Sequence, residues 1–99
     1  MKINTTIGLQ IIPISEMKSD LKYSIIDKII KYLKRSKNVN VHVGPLETTI
    51  EGEYNVCMNI LYNAIKIAAS NDFTIFANLK IIYNPKSILT IDEKIINYK

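Results

Sequence analysis

Residues 39–53 of the chain read VNVHVGPLETTIEGE. Valine alternates with polar residues over 39–44, which predicts a half-buried strand that Gly44-Pro45 interrupts. The alternation resumes over 46–51 and divides the side chains into two faces: Leu46, Thr48 and Ile50 on one, and Glu47, Thr49 and Glu51 on the other. Because only a short connection separates the two strands, this stretch predicts an antiparallel hairpin.

On the N-terminal side of the hairpin, the pattern predicts one strand and one helix. Residues 3–12 alternate as INTTIGLQII, and Pro13 is expected to end the strand. Ser19 or Asp20 can cap a following helix of about 18 residues. Apolar side chains recur along this helix at helical spacing and predict one buried stripe: Leu21, Ile25, Ile29 and Leu33, with Ile26 and Ile30 beside them.

On the C-terminal side, a second helix follows the hairpin directly. Gly52 ends the second strand, and Glu53 places a negative charge where the helix begins, which favours the helix. The helix is expected to bury one stripe: Cys57, Leu61, Ile65 and Ala68, joined by Tyr54, Met58 and Ala64.

The last part of the chain predicts a fourth strand and a short helix. Residues 73–83, FTIFANLKIIY, alternate as a strand that Asn84-Pro85 ends. Thr90 and Glu93 form the pattern of a capping box, which predicts a helix over 91–98.

The element order is βαββαβ followed by a terminal helix, in a single domain over residues 1–99. Two split βαβ units with right-handed crossovers favour a ferredoxin-like α+β sandwich: a four-stranded antiparallel sheet in the order 4-1-3-2, with two helices on one face. We expect these helices to bury the odd-numbered residues of strands one and four. The other face is expected to be largely polar: Thr6, Gly8, Gln10, Asn40, His42, Glu47, Thr49, Glu51, Asn78 and Lys80. Ile12, Phe76 and Ile82 also point there, so we expect this face to form a sheet-to-sheet contact in a homo-oligomer.

Composition limits the class of protein. The chain has 99 residues, 47% of them hydrophobic, and a formal net charge of +4, which fits one ordered domain. The lysines are spread along the chain and favour a solvated surface over a nucleic-acid site. We find neither a contiguous apolar signal segment nor a run near the roughly 18 residues of a membrane span. With a single cysteine, Cys57, these features lead us to expect a cytoplasmic protein without membrane or nucleic-acid partners.

The stretch GPLETTIEGE, residues 44–53, resembles the G-P-x-x-T-T-x-E-G-E signature of the small thiamine-binding proteins, the YkoF-like superfamily. The first strand ending in IIPIS and the tail SILTIDEKIINYK are similar to that family's first strand and closing segment, so the resemblance covers essentially the whole chain. It implies ferredoxin-like subunits in sheet-packed dimers or tetramers. It also implies binding of thiamine, or of its hydroxymethylpyrimidine part, without catalysis and without a cofactor, in thiamine transport, salvage or supply.

Four side chains are the expected ligand contacts: Thr48, Thr49, Gln10 and Glu51. Thr48 shares a face with apolar residues toward the helices, where a hydroxyl needs a partner. Thr49 and Glu51 face the opposite side, where Glu51 can meet a cation or Lys80. Gln10 can offer both a donor and an acceptor to a pyrimidine edge. Each of these residues can instead have a structural role. The Thr48 hydroxyl can bond a neighbouring carbonyl, Thr49 and Glu51 can be solvated or part of a salt bridge, and Gln10 can be an amide in a subunit interface.

Two other functional classes fit the sequence less well. An RNA-recognition module has the same element order but carries aromatic rings on its central strands, where this chain has Thr6, Gly8 and Gln10. An enzyme would need a nucleophile with its base, a phosphate loop or metal-ligand spacing, and no such motif is visible in the sequence. The alternative that stays open is a small-ligand regulatory or oligomeric interaction domain on the same fold with a different ligand.

Overall fold

The computed structural model describes residues 2–14, 19–70 and 73–96. Within these residues the chain forms β1 (Thr5–Pro13), α1 (Ser19–Arg35), β2 (Val39–Val43), β3 (Thr48–Gly52), α2 (Tyr54–Ala68), β4 (Ile75–Tyr83) and α3 (Ile91–Ile96). The predicted βαββαβ order with a terminal helix is confirmed, although the predicted helix over 91–98 extends into positions outside the described residues. Ser19 and Asp20 lie in the first turn of α1 rather than before it. In the described part of the chain, no helix is long and apolar enough to cross a membrane.

The four strands form one antiparallel sheet in the order β2-β3-β1-β4, which is the predicted order 4-1-3-2. β1 is longer than β3, so that Leu9 is its last residue paired with β3, opposite Thr48. Beyond Leu9, the pairing of β1 continues with β4 alone. Among the described residues, this difference in length leaves one side of β1 without a neighbouring strand near its C-terminal end.

Pro13 was expected to end the first strand, and β1 ends at Pro13. Pro13 lies within β1 and pairs opposite Ile75 of β4. The amide nitrogen of the next residue, Ile14, donates to the carbonyl of Thr74 at 3.0 Å. Because successive amides in a strand point to opposite sides, the missing N–H of Pro13 falls on the side that has no neighbouring strand.

The core lies between α1, α2 and the centre of the sheet. Its buried residues are Ile7, Leu9 and Ile50 from the sheet, Ile25, Ile29 and Leu33 from α1, and Cys57, Ile60, Leu61, Ala64 and Ala68 from α2.

The expectation that the helices also bury the odd-numbered residues of strand four is wrong for Leu79 and Ile81, which are 37% and 44% exposed. β4 is an edge strand, and the buried positions of the sheet are on β1 and β3. Leu46, expected to face the core, is 82% exposed because it lies in the connection before β3.

The start of α2 is held by two side chains. Glu53 is its N-cap, and Glu53 Oε2 accepts a hydrogen bond from the amide of Val56 at 3.2 Å. Asn4 Oδ1, at the entry to β1, accepts a hydrogen bond from the amide of Tyr54 at 2.9 Å. The prediction that Glu53 stabilises the helix start is confirmed, and α2 is tied to β1 at the same point.

α3 lies on the face of the sheet opposite α1 and α2. Its predicted capping box is confirmed, since the amide of Glu93 donates to Thr90 Oγ1 and the amide of Thr90 donates to Glu93 Oε1, both at 3.1 Å. The amide of Ile91 also donates to Glu51 Oε2 at 2.6 Å, which joins the start of α3 to β3. α3 therefore covers part of the polar face that the sequence pattern left open.

Candidate ligand-binding clefts

A cleft of about 300 Å³ opens between α1 and the end of the β2–β3 hairpin. We call it the helix-side cleft. Its lining residues are Leu9, Gln10, Ile11, Ile12, Ile26, Ile29, Ile30, Leu33, Val43, Gly44, Pro45, Leu46, Glu47 and Thr48. Most of these side chains are aliphatic, and only Gln10, Glu47 and Thr48 carry polar groups. Apolar walls with a few polar groups are typical of sites for small organic molecules.

Thr48 is the first residue of β3 and is half-buried in this cleft. It pairs opposite Leu9 of β1 and Val43 of β2. Its side chain lies on the helix side, as the alternation predicted. Within the described ranges, the Thr48 hydroxyl forms no hydrogen bond, so water or a ligand is its available partner.

Gln10 lines the same cleft, although alternation assigns it to the opposite face from Leu9. The pairing of β3 with β1 ends at Leu9, so no strand of the described part of the chain lies beside Gln10 on that side. The half-buried amide can therefore reach the cleft around the end of β3. The sequence pattern placed Thr48 and Gln10 on opposite faces of the sheet. In the structure, both residues line one cleft.

Glu47 lines the helix-side cleft, and its carboxylate lies on the sheet face, next to Gly8 and Lys80. Its Oε2 lies 3.1 Å from Nζ of Lys80 on β4. The carboxylate also lies close to β1 at Gly8, where a Cβ atom would come within 3.0 Å of Glu47 Oε2. The sequence pattern indicated no role for Glu47 in ligand binding. One feature of the sequence could have indicated Glu47: it is the one acidic residue between Gly44-Pro45 and the two threonines, Thr48 and Thr49.

A second cleft, of about 370 Å³, lies on the opposite face between the sheet and α3. We call it the sheet-face cleft, and it is lined by Thr6, Gly8, His42, Glu47, Thr49, Lys80, Ile82, Ile91, Lys94 and Ile95. Thr49 lines this cleft and not the helix-side cleft. Glu47 lines both, so the two clefts meet at this side chain.

Glu51 lines neither of these clefts. It is 3% exposed, and its two oxygens accept hydrogen bonds from Asn40 Nδ2 at 2.9 Å and from the amide of Ile91 at 2.6 Å. Lys80, one of the two partners that the sequence allowed for Glu51, pairs with Glu47 instead. Glu51 links β2, β3 and α3, a contact across 40 positions of sequence that no local pattern signals. Its role as a ligand contact stays a prediction.

Cys57 lies fully buried near the start of α2. Burial, together with the carboxylates of Glu53 and Glu51, raises the pKa of the Cys57 thiol to about 11. The thiol is therefore protonated at neutral pH and packs as a small apolar side chain. Among the described residues, no group of three or more His, Cys, Asp or Glu side chains could hold a metal ion.

Comparison with known proteins finds matches over almost the whole chain. Residues 7–99 match the model of a family described as "Thiamine-binding protein". A UPF0045 protein of Clostridium perfringens is 32% identical over 94 residues, which cover 94% of this chain and 95% of that protein.

Solved structures resemble the chain over almost its whole length. A domain of unknown function, DUF77, from Bacillus cereus has a TM-score of 0.83 and 31% identity, covering 97% of this chain and 90% of that one. A candidate thiamine biosynthesis/salvage protein from Thermotoga maritima has a TM-score of 0.80 and 26% identity, covering 97% of this chain and 99% of that one. The fold described above is therefore shared with these proteins.

Proposed function

Because the chain belongs to the thiamine-binding protein family, we propose that it binds thiamine, or the hydroxymethylpyrimidine part of thiamine, in the helix-side cleft. It does so without catalysis, in thiamine supply, salvage or transport. The observation that carries this proposal is the hydroxyl of Thr48, which has no hydrogen-bond partner within the described part of the chain and lies in a largely aliphatic cleft. A relative of similar structure, described as a candidate for thiamine biosynthesis or salvage, supports it.

The polar groups of the helix-side cleft match an aminopyrimidine. Such a ring presents an amino donor and ring-nitrogen acceptors on its edge, and its two faces are apolar. The Thr48 hydroxyl can donate or accept, and the Gln10 amide can do both at once. The aliphatic side chains of α1 and β1 would pack against the faces of the ring, which gains free energy by leaving water.

Glu47 suits the second half of thiamine, the thiazolium ring, which carries a positive charge. A carboxylate near that ring would attract it, and attraction is stronger in a partly desolvated cleft than in water. Lys80 competes for the same carboxylate at 3.1 Å. Thiamine binding would therefore loosen the ion pair between Glu47 and Lys80, and the neutral pyrimidine fragment would leave it intact.

The proposal includes assembly into a homodimer or homotetramer through the sheet. β4 is an edge strand, and it exposes large apolar side chains on both faces: Phe76 and Ile82 on one, Leu79 and Ile81 on the other. A second copy that covers these side chains would remove apolar surface from water. We expect a solution mass that is a multiple of 11.3 kDa, and a monomer at micromolar concentration would contradict this part of the proposal. The single free thiol is in keeping with function in the cytoplasm.

Isothermal titration calorimetry tests the binding proposal. The protein is unfolded, dialysed and refolded before the titration, so that any carried ligand is removed. Thiamine is expected to give saturable heat at about one site per chain. No saturable heat at three temperatures, with a folded chain by circular dichroism, would contradict the proposal.

A further inference from the structure

The last part of β1 has one edge that no described strand covers. The main-chain groups of successive strand residues point to opposite sides, so every second residue of β1 directs its N–H and C=O towards β3. The amide of Ile14 donates to the carbonyl of Thr74, on the side of β4, so the odd-numbered residues are those that face β3. The pairing with β3 ends at Leu9, opposite Thr48. The next odd-numbered residue, Ile11, therefore directs both of its main-chain groups to the uncovered edge.

Ile11 lacks a partner at this edge because the β2–β3 hairpin turns away before reaching it. Continued pairing would set Leu46 opposite Ile11, two residues beyond Leu9, but Leu46 lies in the connection before β3 and is 82% exposed. The hairpin closes on itself instead, since the amide of Gly44 donates to the carbonyl of Glu47 at 3.0 Å. Within the described ranges, neither the N–H nor the C=O of Ile11 forms a hydrogen bond.

The helix-side cleft runs along this uncovered edge. Gln10, Ile11 and Ile12 are consecutive, so their side chains alternate between the two faces of the sheet, yet all three residues line the cleft. A cleft that meets consecutive residues of one strand lies at the edge of that strand, where main-chain groups point. Ile11 is half-buried, and a main-chain donor and acceptor that leave water favour a new partner. The aliphatic walls of the cleft cannot supply one.

We propose that the main chain of Ile11 holds the aminopyrimidine edge of the ligand through two hydrogen bonds. The N–H of Ile11 donates to a ring nitrogen, and the C=O of Ile11 accepts from the neighbouring amino group. In a sheet, these two groups bind the C=O and N–H of an opposite residue, and the adjacent acceptor and donor of the aminopyrimidine take their place. The second amino hydrogen and the other ring nitrogen remain for Gln10 and Thr48. This inference rests on the proposed function, because it assigns a further contact in the same cleft.

A strand edge of this kind selects ligands that carry a donor beside an acceptor. A pyrimidine without the amino group leaves the C=O of Ile11 without a donor when it occupies the cleft. Loss of one hydrogen bond at a partly buried position is expected to weaken binding about fivefold. Recognition of the amino group by main chain also means that no side-chain substitution removes it completely.

The test is a ¹⁵N-edited NMR titration of the refolded full chain with hydroxymethylpyrimidine. At saturation we expect the Ile11 amide proton to move downfield and to exchange more slowly with solvent, because it gains an acceptor. The amide of Ile12 points towards β4 and is the control within the same molecule, with little change in its exchange. The analogue of hydroxymethylpyrimidine without the amino group is titrated in the same way, and it is expected to bind about fivefold more weakly.

A pair of variants separates the main-chain donor from the side chain. Ile11→Pro removes the N–H, and the uncovered edge already carries Pro13, so this proline removes no hydrogen bond between strands. We expect it to bind hydroxymethylpyrimidine at least about fivefold more weakly than wild type. Ile11→Val keeps the N–H and shortens the side chain, so its affinity should stay within about twofold of wild type. If Ile11→Pro does not fold, the Ile11 amide of wild type and the analogue still decide.

The possible outcomes distinguish this contact from binding itself. Saturable binding with an unchanged Ile11 amide would overturn this inference and leave the proposed function intact. Equal affinity for hydroxymethylpyrimidine and its analogue would also overturn it, and so would equal affinity of folded Ile11→Pro and Ile11→Val. Absence of saturable binding by a folded wild-type chain would overturn both this inference and the proposed function.

Discussion

Thr48 and Thr49 are adjacent in the chain, yet they line different clefts on opposite faces of one sheet. Thr48 pairs opposite Leu9 and lies on the helix side, whereas Thr49 pairs opposite Gly8 and lies on the side of α3. The alternation of side chains along a strand requires this separation. The two neighbouring threonines therefore contribute one side chain to each of two different clefts.

The adjacent threonines give a matched pair of variants for thiamine binding. Thr48→Val keeps the shape and removes the hydroxyl from the helix-side cleft, so we expect thiamine to bind about five- to tenfold more weakly. Thr49→Val makes the same chemical change on the other face and is expected to leave the affinity for thiamine unchanged. Calorimetry of the two variants side by side measures this difference. Equal affinities in both variants would remove Thr48 from the site.

Glu47→Gln tests whether the carboxylate binds the thiazolium ring. The variant keeps the shape of the side chain and removes its charge, so thiamine should bind roughly three- to tenfold more weakly. Hydroxymethylpyrimidine has no thiazolium ring, so its affinity should not change. Lys80→Gln releases the carboxylate from its ion pair and should strengthen thiamine binding. A loss of equal size for both ligands in Glu47→Gln would instead indicate a change in the shape of the cleft.

Glu51→Gln tests the link between β3 and α3. One carboxylate oxygen becomes an amide group that cannot accept, so either Asn40 or the amide of Ile91 loses its acceptor. We expect the free energy of unfolding to fall by about 1.5–3 kcal/mol. Urea unfolding measures the loss, and faster hydrogen exchange at Ile91 would locate it.

Asp27→Asn is the control, since Asp27 forms an exposed ion pair with Lys31 at 2.9 Å. Loss of this ion pair should change the free energy of unfolding by about 0.5 kcal/mol or less. Equal stability of Glu51→Gln and wild type would contradict the structural role of Glu51.

The buried thiol of Cys57 predicts a dependence of stability on alkaline pH. Its pKa in the folded chain is about 11, above the value of about 8.5 for an exposed thiol. Between these two values the unfolded chain loses the thiol proton and the folded chain keeps it. The stabilisation that comes from keeping the thiol protonated is fully present below the pKa of the unfolded chain. It is lost as pH rises towards 11, and the free energy of unfolding then falls by at most about 1.4 kcal/mol per pH unit.

Comparison of wild type with Cys57→Ala isolates this contribution, because other groups also titrate in the same range. Urea unfolding between pH 8 and 11 is expected to show a steeper loss of stability in wild type than in the variant. Parallel curves would show that the thiol is not protected by the fold.

The elements that could be predicted from the sequence are those with local signals. Glu53 at the start of α2 and the Thr90–Glu93 capping box are contacts within one helical turn, and both were found where the pattern placed them. The strand order followed from the element order together with the handedness of the crossovers. Thr48 could be assigned to the helix side because side-chain alternation depends only on position within the strand.

The features that could not be predicted depend on contacts between distant residues. The hydrogen bond from Ile91 to Glu51 spans 40 positions, and it decides where α3 lies and which part of the sheet face is covered. Gln10 reaches the helix-side cleft because β3 ends before it, a difference in strand length that alternation does not encode. The hydroxyl of Thr6 is buried and has no hydrogen-bond partner among the described residues. No local pattern predicts this, because it depends on the positions of β3, β4 and α3.

The most direct test of the account is a ¹⁵N-edited NMR titration of the refolded wild-type chain with thiamine. The account predicts saturable shifts that concentrate in the amides of the helix-side cleft, around Gln10 and residues 43–48, and that disappear or weaken in Thr48→Val. Saturable shifts confined to the sheet-face cleft, or no shifts with a folded chain, would contradict it.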